Sequence, residues 1–178
     1  VRRAVVLTVL GAAAASALLG GCGSAAPKPG AVAAEPARLT VTSSAFRQGG
    51  VIPDKYTCKG AGVSLPVAWS GVPAGTGWIA LYMEDPTASD FTHWYVVDIP
   101  PGTTGLTEGG PSAGRVVAHY YPPCPQDGAT DDYVVRVYAM PRGYQPARLG
   151  GALVVDAAGL RAHALALGEV DATVTKPA

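Results

Sequence analysis

Hydrophobic and polar positions along this chain alternate in short runs rather than in helical waves. Runs rich in β-branched, aromatic and aliphatic residues recur at 65–69, 78–83, 93–99, 115–119, 133–140 and 171–175, each bounded by Gly, Pro or Asp-rich turns. Before them, the run LTVTSSAF brings in Leu39, Val41 and Phe46. Short apolar runs separated by turn residues predict strands, and their close spacing favours antiparallel sheets over βαβ units. One segment reads differently. Asp156 can cap a helix, Leu160, Leu165 and Leu167 supply its apolar positions, and Gly168 ends it. The pattern therefore predicts a mainly β domain with a C-terminal helix.

The first residues follow another logic. Arg2 and Arg3 precede an uninterrupted apolar or small run over residues 4–19, and Gly20, Gly21 and Cys22 follow. This is the charged, apolar and small-residue layout of an export signal, and the run is too short to span a bilayer comfortably. Leu19, Gly20, Gly21 and Cys22 also resemble the lipobox of bacterial lipoproteins, in which the cysteine carries diacylglycerol after cleavage. An ordinary secreted protein with an incidental Cys22 is the alternative. Residues 1–21 are expected to be a signal peptide, and residues 22–37, mostly Gly, Ser, Ala, Pro and Lys, a lipidated cysteine and flexible tether. The folded domain is expected over 38–178, held by its lipid on the extracytoplasmic face of the cell membrane.

Composition narrows the picture further. Of 178 residues, 48% are hydrophobic and 15% charged, as in a globular protein, while 23 Gly and 16 Pro point to many turns. Without its leader the chain is the size of a single domain with one hydrophobic core. The formal net charge is zero, and no basic patch suggests a nucleic-acid partner. Cys58 and Cys124 are expected to form a disulfide in an oxidising compartment; two buried free thiols are the alternative. Neither has a second Cys or a His at zinc-site spacing, so no metal site and no cofactor is expected.

Four segments carry a further signal: FRQGGVIPDKYTCKG at 46–60 with SLPVAWSGVP at 64–73, EDPTASDFTHWYVVDIP at 84–100, YYPPCPQDGATDDYVVRVYAM at 120–140, and the C-terminal helix with a short final strand. In order and spacing they resemble the phosphatidylethanolamine-binding protein family, also called the Raf kinase inhibitor protein family, in its bacterial branch. The resemblance implies a β-sandwich of two antiparallel sheets with a C-terminal helix. It also implies a shallow pocket for small anions such as phosphate head groups, lined by Asp85, His93 and Tyr120, with Pro123 and Cys124 at the rim and Thr87 and Asp131 beside it.

The residues themselves support a pocket of this kind. Alternation predicts His93 and Tyr95 on one strand face and Trp94 and Val96 on the other. Asp85 near His93 would orient the imidazole and raise its pKa toward a charged form at neutral pH. A histidine satisfying a buried carbonyl is the plainer reading. The chain departs from the family pattern in three places: Thr87 stands for the second aspartate of D-P-D, Pro122 for the glycine of G-P-C-P, and Asp131 with Asp132 for an H-R pair. Two carboxylates near the expected anion should repel phosphate unless they point away, which leaves a neutral or amine-bearing ligand as a further possibility. The expected function is non-catalytic binding of a small anionic or phosphate-bearing, head-group-like ligand. An inhibitor or interaction module acting on an extracytoplasmic protein through the pocket rim is the second reading. Catalysis is not expected, because no nucleophile elbow or metal-ligand set accompanies Asp85 and His93, and Ser64 and Ser70 lie in ordinary contexts.

Overall fold

The computed structural model describes residues 36–178; the expected signal peptide, Cys22 and the tether up to residue 35 lie outside the described residues. In chain order the strands are β1 (Ala37–Arg38), β2 (Thr40–Thr42), β3 (Gly50–Val51), β4 (Val67–Ser70), β5 (Thr76–Asp85) and β6 (Phe91–Ile99). After them come β7 (Gly105–Leu106), β8 (Arg115–Ala118), β9 (Thr130–Pro141), β10 (Arg148–Leu149) and β11 (Ala152–Leu153), then the helix α1 (Ala157–His163) and β12 (Ala166–Thr175). The long strands build one sheet in the order β1–β12–β9–β5–β6–β8, with β3 also paired to β12. Only β1 and β3 run parallel to β12; the other pairs are antiparallel. A smaller antiparallel sheet, β2–β4–β7, lies apart from it.

The central strands are apolar on both faces because both faces are covered. Along β5, Ile79, Leu81 and Met83 enter a first core with Val41, Trp69 and Leu106 of the small sheet. Trp78, Ala80 and Tyr82 enter a second core, closed by Leu160 of α1. Trp94, 1% exposed, anchors the first core, and truncating such a residue costs about 3–5 kcal/mol. The expected mainly β fold with a C-terminal helix is what forms. Strand formation begins at Ala37, one residue before the expected domain start.

The C-terminus corrects one expectation. Asp156 does cap α1, accepting a hydrogen bond from the Gly159 amide at 2.9 Å. The helix nevertheless ends at His163, and Leu165 and Leu167 belong to the following chain and strand. The Leu165 amide already donates to the Ala139 carbonyl, and β12 then pairs with β9 along its whole length, from Ala166 opposite Ala139 to Thr175 opposite Thr130. That ladder outweighs one more helical turn. Gly168 is not a helix stop: a Cβ there would lie 2.3 Å from the Leu39 carbonyl oxygen, so only glycine admits this close backbone crossing.

Cys58 and Cys124 are joined in a disulfide with Cα atoms 5.4 Å apart and a sequence separation of 66. Two further bonds tie the same segments. The Cys58 amide donates to the Pro123 carbonyl at 3.0 Å, and the Tyr120 hydroxyl donates to the Tyr56 carbonyl at 2.8 Å. The proline-rich stretch is thereby fixed against the 54–62 loop, and it becomes a firm wall beside the edge of β6.

Candidate functional site

Asp85 ends β5 and caps the tight turn Pro86–Ala88. Its Oδ1 accepts from the Thr87 and Ala88 amides at 2.8 and 3.0 Å, and from the Thr87 hydroxyl. Ser89 and Asp90 follow with φ of 57° and 58°. Two successive left-handed residues give the twist that a short hairpin connection requires, and Asp is among the residues that tolerate it. The hairpin returns as β6, with Phe91 opposite Asp85.

A register shift then re-aims the histidine. Glu84 opposes Thr92 while Met83 opposes Trp94, so His93 is an extra residue without an opposite number. Such bulges break side-chain alternation locally. His93 and Tyr95 therefore do not share a face as alternation predicts: Tyr95 packs in the second core, whereas the His93 ring lies 5.1 Å from that of Tyr133, a first-core residue.

The segment after β8 extends along β6 by a reciprocal pair of contacts. The Tyr121 amide donates to the His93 carbonyl at 2.7 Å, and His93 Nδ1 lies 2.7 Å from the Tyr121 carbonyl oxygen. A carbonyl can only accept, so Nδ1 carries the proton and the neutral ring has Nε2 as an acceptor. Burial lowers the His93 pKa below its ordinary value of 6.5, and the Tyr121 carbonyl, Asp85 and Asp131 only partly oppose this. The expected charged imidazole is thus corrected to a neutral one: desolvation outweighs the carboxylates.

Asp85, His93, Cys124, Asp131 and Tyr133 line one cavity of about 280 Å³, with Phe91 and Tyr121 at its mouth. Asp85 and His93 are 2% and 4% exposed. Asp131 and Tyr133 reach the cavity together because they are two apart on β9, while Asp132 is exposed and does not line it. Burial, followed by the charges of Asp85 and Asp132, raises the Asp131 pKa. Burial, followed by the charges of Asp85 and Asp131, pushes the Tyr133 hydroxyl up as well. Among the described residues no Lys or Arg lines the cavity, and the arginine on β9, Arg136, is held by Glu84 and Glu169. The polarity runs opposite to what a small anion requires.

Of the residues expected at this site, Tyr120 does not belong to the cavity. Its hydroxyl is spent on the Tyr56 carbonyl and its ring meets Trp94 edge-on at 5.7 Å, so it is a core residue. Successive residues of an extended segment point to opposite sides, and the outward neighbour is Tyr121. Pro123 is buried and supports the rim through its carbonyl rather than touching the cavity. Thr87 stands one step away, bonded to Asp85 and accepting from the Asp132 amide at 3.3 Å. Tyr133, Tyr121, Phe91 and Gln126 were missed. Tyr133 could have been found from its two-residue spacing to Asp131; the others depend on the bulge and on the loop path. A larger groove, about 590 Å³, crosses the small sheet near Ser43 and Leu106. Its one ionisable lining residue, Glu108, is already taken by Lys55 and Tyr56.

Comparison with known proteins agrees with this architecture. The profile of the family described as phosphatidylethanolamine-binding protein matches residues 42–175. A UPF0098 protein of Methanothermobacter thermautotrophicus is 37% identical over 116 residues, which cover 57% of this chain and 76% of that protein. LppC of Mycobacterium tuberculosis, named as a candidate lipoprotein, is 38% identical over 125 residues, covering 65% of this chain and 61% of its own length. Among solved structures, a homologue from Chlamydia trachomatis described as a candidate phosphatidylethanolamine-binding protein superposes with a TM-score of 0.65 at 30% identity, covering 78% of this chain and 98% of its own. YbcL of E. coli, described as a member of the mammalian family, gives 0.66 at 26% identity over 78% of this chain and 99% of its own.

Proposed function

Because this chain belongs to the phosphatidylethanolamine-binding protein family, we propose that it is an exported, lipid-anchored receptor for a small head-group-like ligand. The observation that carries this reading is the convergence of Asp85, His93, Asp131 and Tyr133, distant in sequence, on one cavity of about 280 Å³. That volume suits a polar group of a few heavy atoms rather than a whole lipid. The role is binding rather than turnover. The sulfur at the cavity wall is locked in a disulfide, and Asp85 Oδ1 is committed to the turn it caps.

The test is the response of the His93 ring resonances to a panel of ethanolamine, choline, phosphorylethanolamine, glycerol phosphate and inorganic phosphate. At least one should move His93 and Tyr133 together with saturation; silence of both to every compound removes the reading. Anchoring rests on residues 1–21 as signal, Cys22 as the lipidated residue, residues 22–37 as tether and 38–178 as the domain, and the relative named as a candidate lipoprotein supports it. Cys22→Ala should shift the protein from the membrane to the soluble fraction. An unchanged membrane fraction would count against the anchor.

A second reading has its own observation. Phe91 and Tyr121 stand 47% and 58% exposed at the cavity mouth with ring centroids 5.6 Å apart, the kind of aromatic pair that anchors a protein partner. An extracytoplasmic protein bound through this rim would be lost from envelope pull-downs on Phe91→Ala and Tyr121→Ala.

A further inference from the structure

Charge is divided unevenly between the two ends of the large sheet. At one end β5 and β12 begin and β9 finishes, with Thr76 opposite Pro141 and Ala166 opposite Ala139. The stretch 142–165 leaves and rejoins the sheet there, and the Ala37 amide donates to the Leu165 carbonyl at 3.0 Å. Arg38 and Arg161 line one cleft of about 190 Å³ together with Pro36, the first described residue. Arg142 stands close by. Its amide donates to the Gly75 carbonyl, and Leu165 Cδ1 lies 4.0 Å from where a Cβ on Gly75 would be. Arg148 and Leu149, the latter 76% exposed, belong to the same 142–165 stretch. All four arginines are exposed, and none makes an ion pair among the described residues. The nearby carboxylates are already engaged: Asp156 caps α1 and Glu169 binds Arg136.

We propose that this arginine-bearing end docks on an anionic phospholipid surface and so holds the cavity pointing away from the membrane. The inference rests on the lipid anchor of the reading above and adds the orientation that an anchor alone leaves open. The far ends of the same strands carry Asp85, Asp90, Asp131 and Asp132, of which Asp90 and Asp132 are exposed. Asp131 and Pro141 lie ten residues apart on β9, which is about 30 Å at roughly 3.3 Å per residue. Salt screens exposed charges beyond about 10 Å, so a surface that touches the arginines does not feel those aspartates. In the reverse orientation the aspartates would meet phosphates of like charge, with the arginines too distant to compensate. Net charge is no substitute for this division, because residues 36–178 hold 10 Lys or Arg against 12 Asp or Glu. The tether selects the occupant. Residues 23–36 number 14 and span about 20 Å as a flexible chain, so a lipid on Cys22 keeps Arg38 and its neighbours beside the bilayer at high effective concentration. Lys28 and Glu35 within the tether cancel each other. The exposed Leu149 and Leu165 add apolar side chains that enter between head groups.

The experiment places the lipidated protein in nanodiscs of mixed phosphatidylglycerol and phosphatidylcholine, or of phosphatidylcholine alone, each carrying nitroxide-labelled head groups. A fluorophore on Ala162→Cys, beside Arg161, reports one end, and one on Thr130→Cys, at the start of β9, reports the other; both positions are exposed. With phosphatidylglycerol the Ala162→Cys probe should be quenched and the Thr130→Cys probe should not. Phosphatidylcholine alone, or high salt, should abolish the difference. An arginine near an anionic surface contributes about fivefold, so Arg38→Gln, Arg142→Gln and Arg161→Gln together should lower the docking constant by about 100-fold while the protein stays on the disc. These side chains are exposed and make no ion pair with described residues, so the triple variant should fold, and an unchanged urea midpoint checks that. Equal quenching at both ends, or quenching at Ala162→Cys that survives the loss of phosphatidylglycerol or of the three arginines, overturns the inference while the anchor stands. If Cys22 carries no lipid, the anchor reading falls, and the exported protein mixed with the same discs decides the rest: binding to phosphatidylglycerol that is lost in the triple variant upholds the basic end as a docking surface, and no binding overturns it as well.

Discussion

Replacing Cys58 and Cys124 together by alanine removes a cross-link that closes a span of 66 residues. In the chain-entropy account such a span restricts the unfolded chain by about 4 kcal/mol at 25 °C, because its ends can no longer explore separate positions. The native geometry should survive the loss. The Cys58 amide still reaches the Pro123 carbonyl, and the Tyr120 hydroxyl still reaches the Tyr56 carbonyl across the same junction. The effect therefore falls mainly on the unfolded state and appears close to in full as lost stability. Against a typical domain stability of about 5–15 kcal/mol this is a large fraction. With a urea slope of about 2 kcal/mol per molar, the midpoint should fall by about 2 M. Equilibrium urea unfolding followed by tryptophan fluorescence measures it, since Trp69, Trp78 and Trp94 are all buried. The wild type under reductant should agree with the double variant. A loss below about 1 kcal/mol would refute the reasoning, because it would mean that the bridge does not restrict the unfolded chain as its span implies.

Two further outcomes follow from the site. Tyr120→Phe should cost about 1–2 kcal/mol of stability by orphaning the Tyr56 carbonyl while leaving ligand affinity intact, whereas Tyr133→Phe should weaken binding; paired urea and titration curves separate the two tyrosines, and the opposite pattern would return Tyr120 to the cavity. His93 has a folded pKa below 6.5, so the unfolded chain binds the extra proton first: its contribution to stability is complete above about 6.5 and is lost as pH falls through the folded pKa. His93→Gln should flatten that acid limb in urea midpoints taken between pH 7 and 5, and a limb of unchanged steepness would contradict a buried neutral ring.

Much of this protein can be read from residue order alone, because the relevant physics is local. The expectation of an export signal rests only on the composition of the charged, apolar and small-residue run before Cys22, which lies outside the described residues. Apolar stretches such as 78–83 and 133–140 specify strands covered on both faces, and Asp156 specifies a helix start through a bond three residues away. The site was legible in part. Asp85, His93 and Asp131 were named from their motifs, while Tyr133 was overlooked although it lies two residues beyond Asp131.

Tertiary structure decided what depends on partners far along the chain. Whether residues 164–167 continue a helix or enter a strand was settled by the open edge of β9, whose hydrogen-bonding groups belong to another segment. Whether Tyr120 or Tyr121 faces the cavity, and whether His93 follows Tyr95 or Tyr133, turned on one-residue matters of register and bulge. Side chains alternate with period two, so a single added residue reverses a face, and the pairing that places that residue is made between strands rather than within one. The charge of His93 followed the same rule, since its burial comes from the segments packed around it.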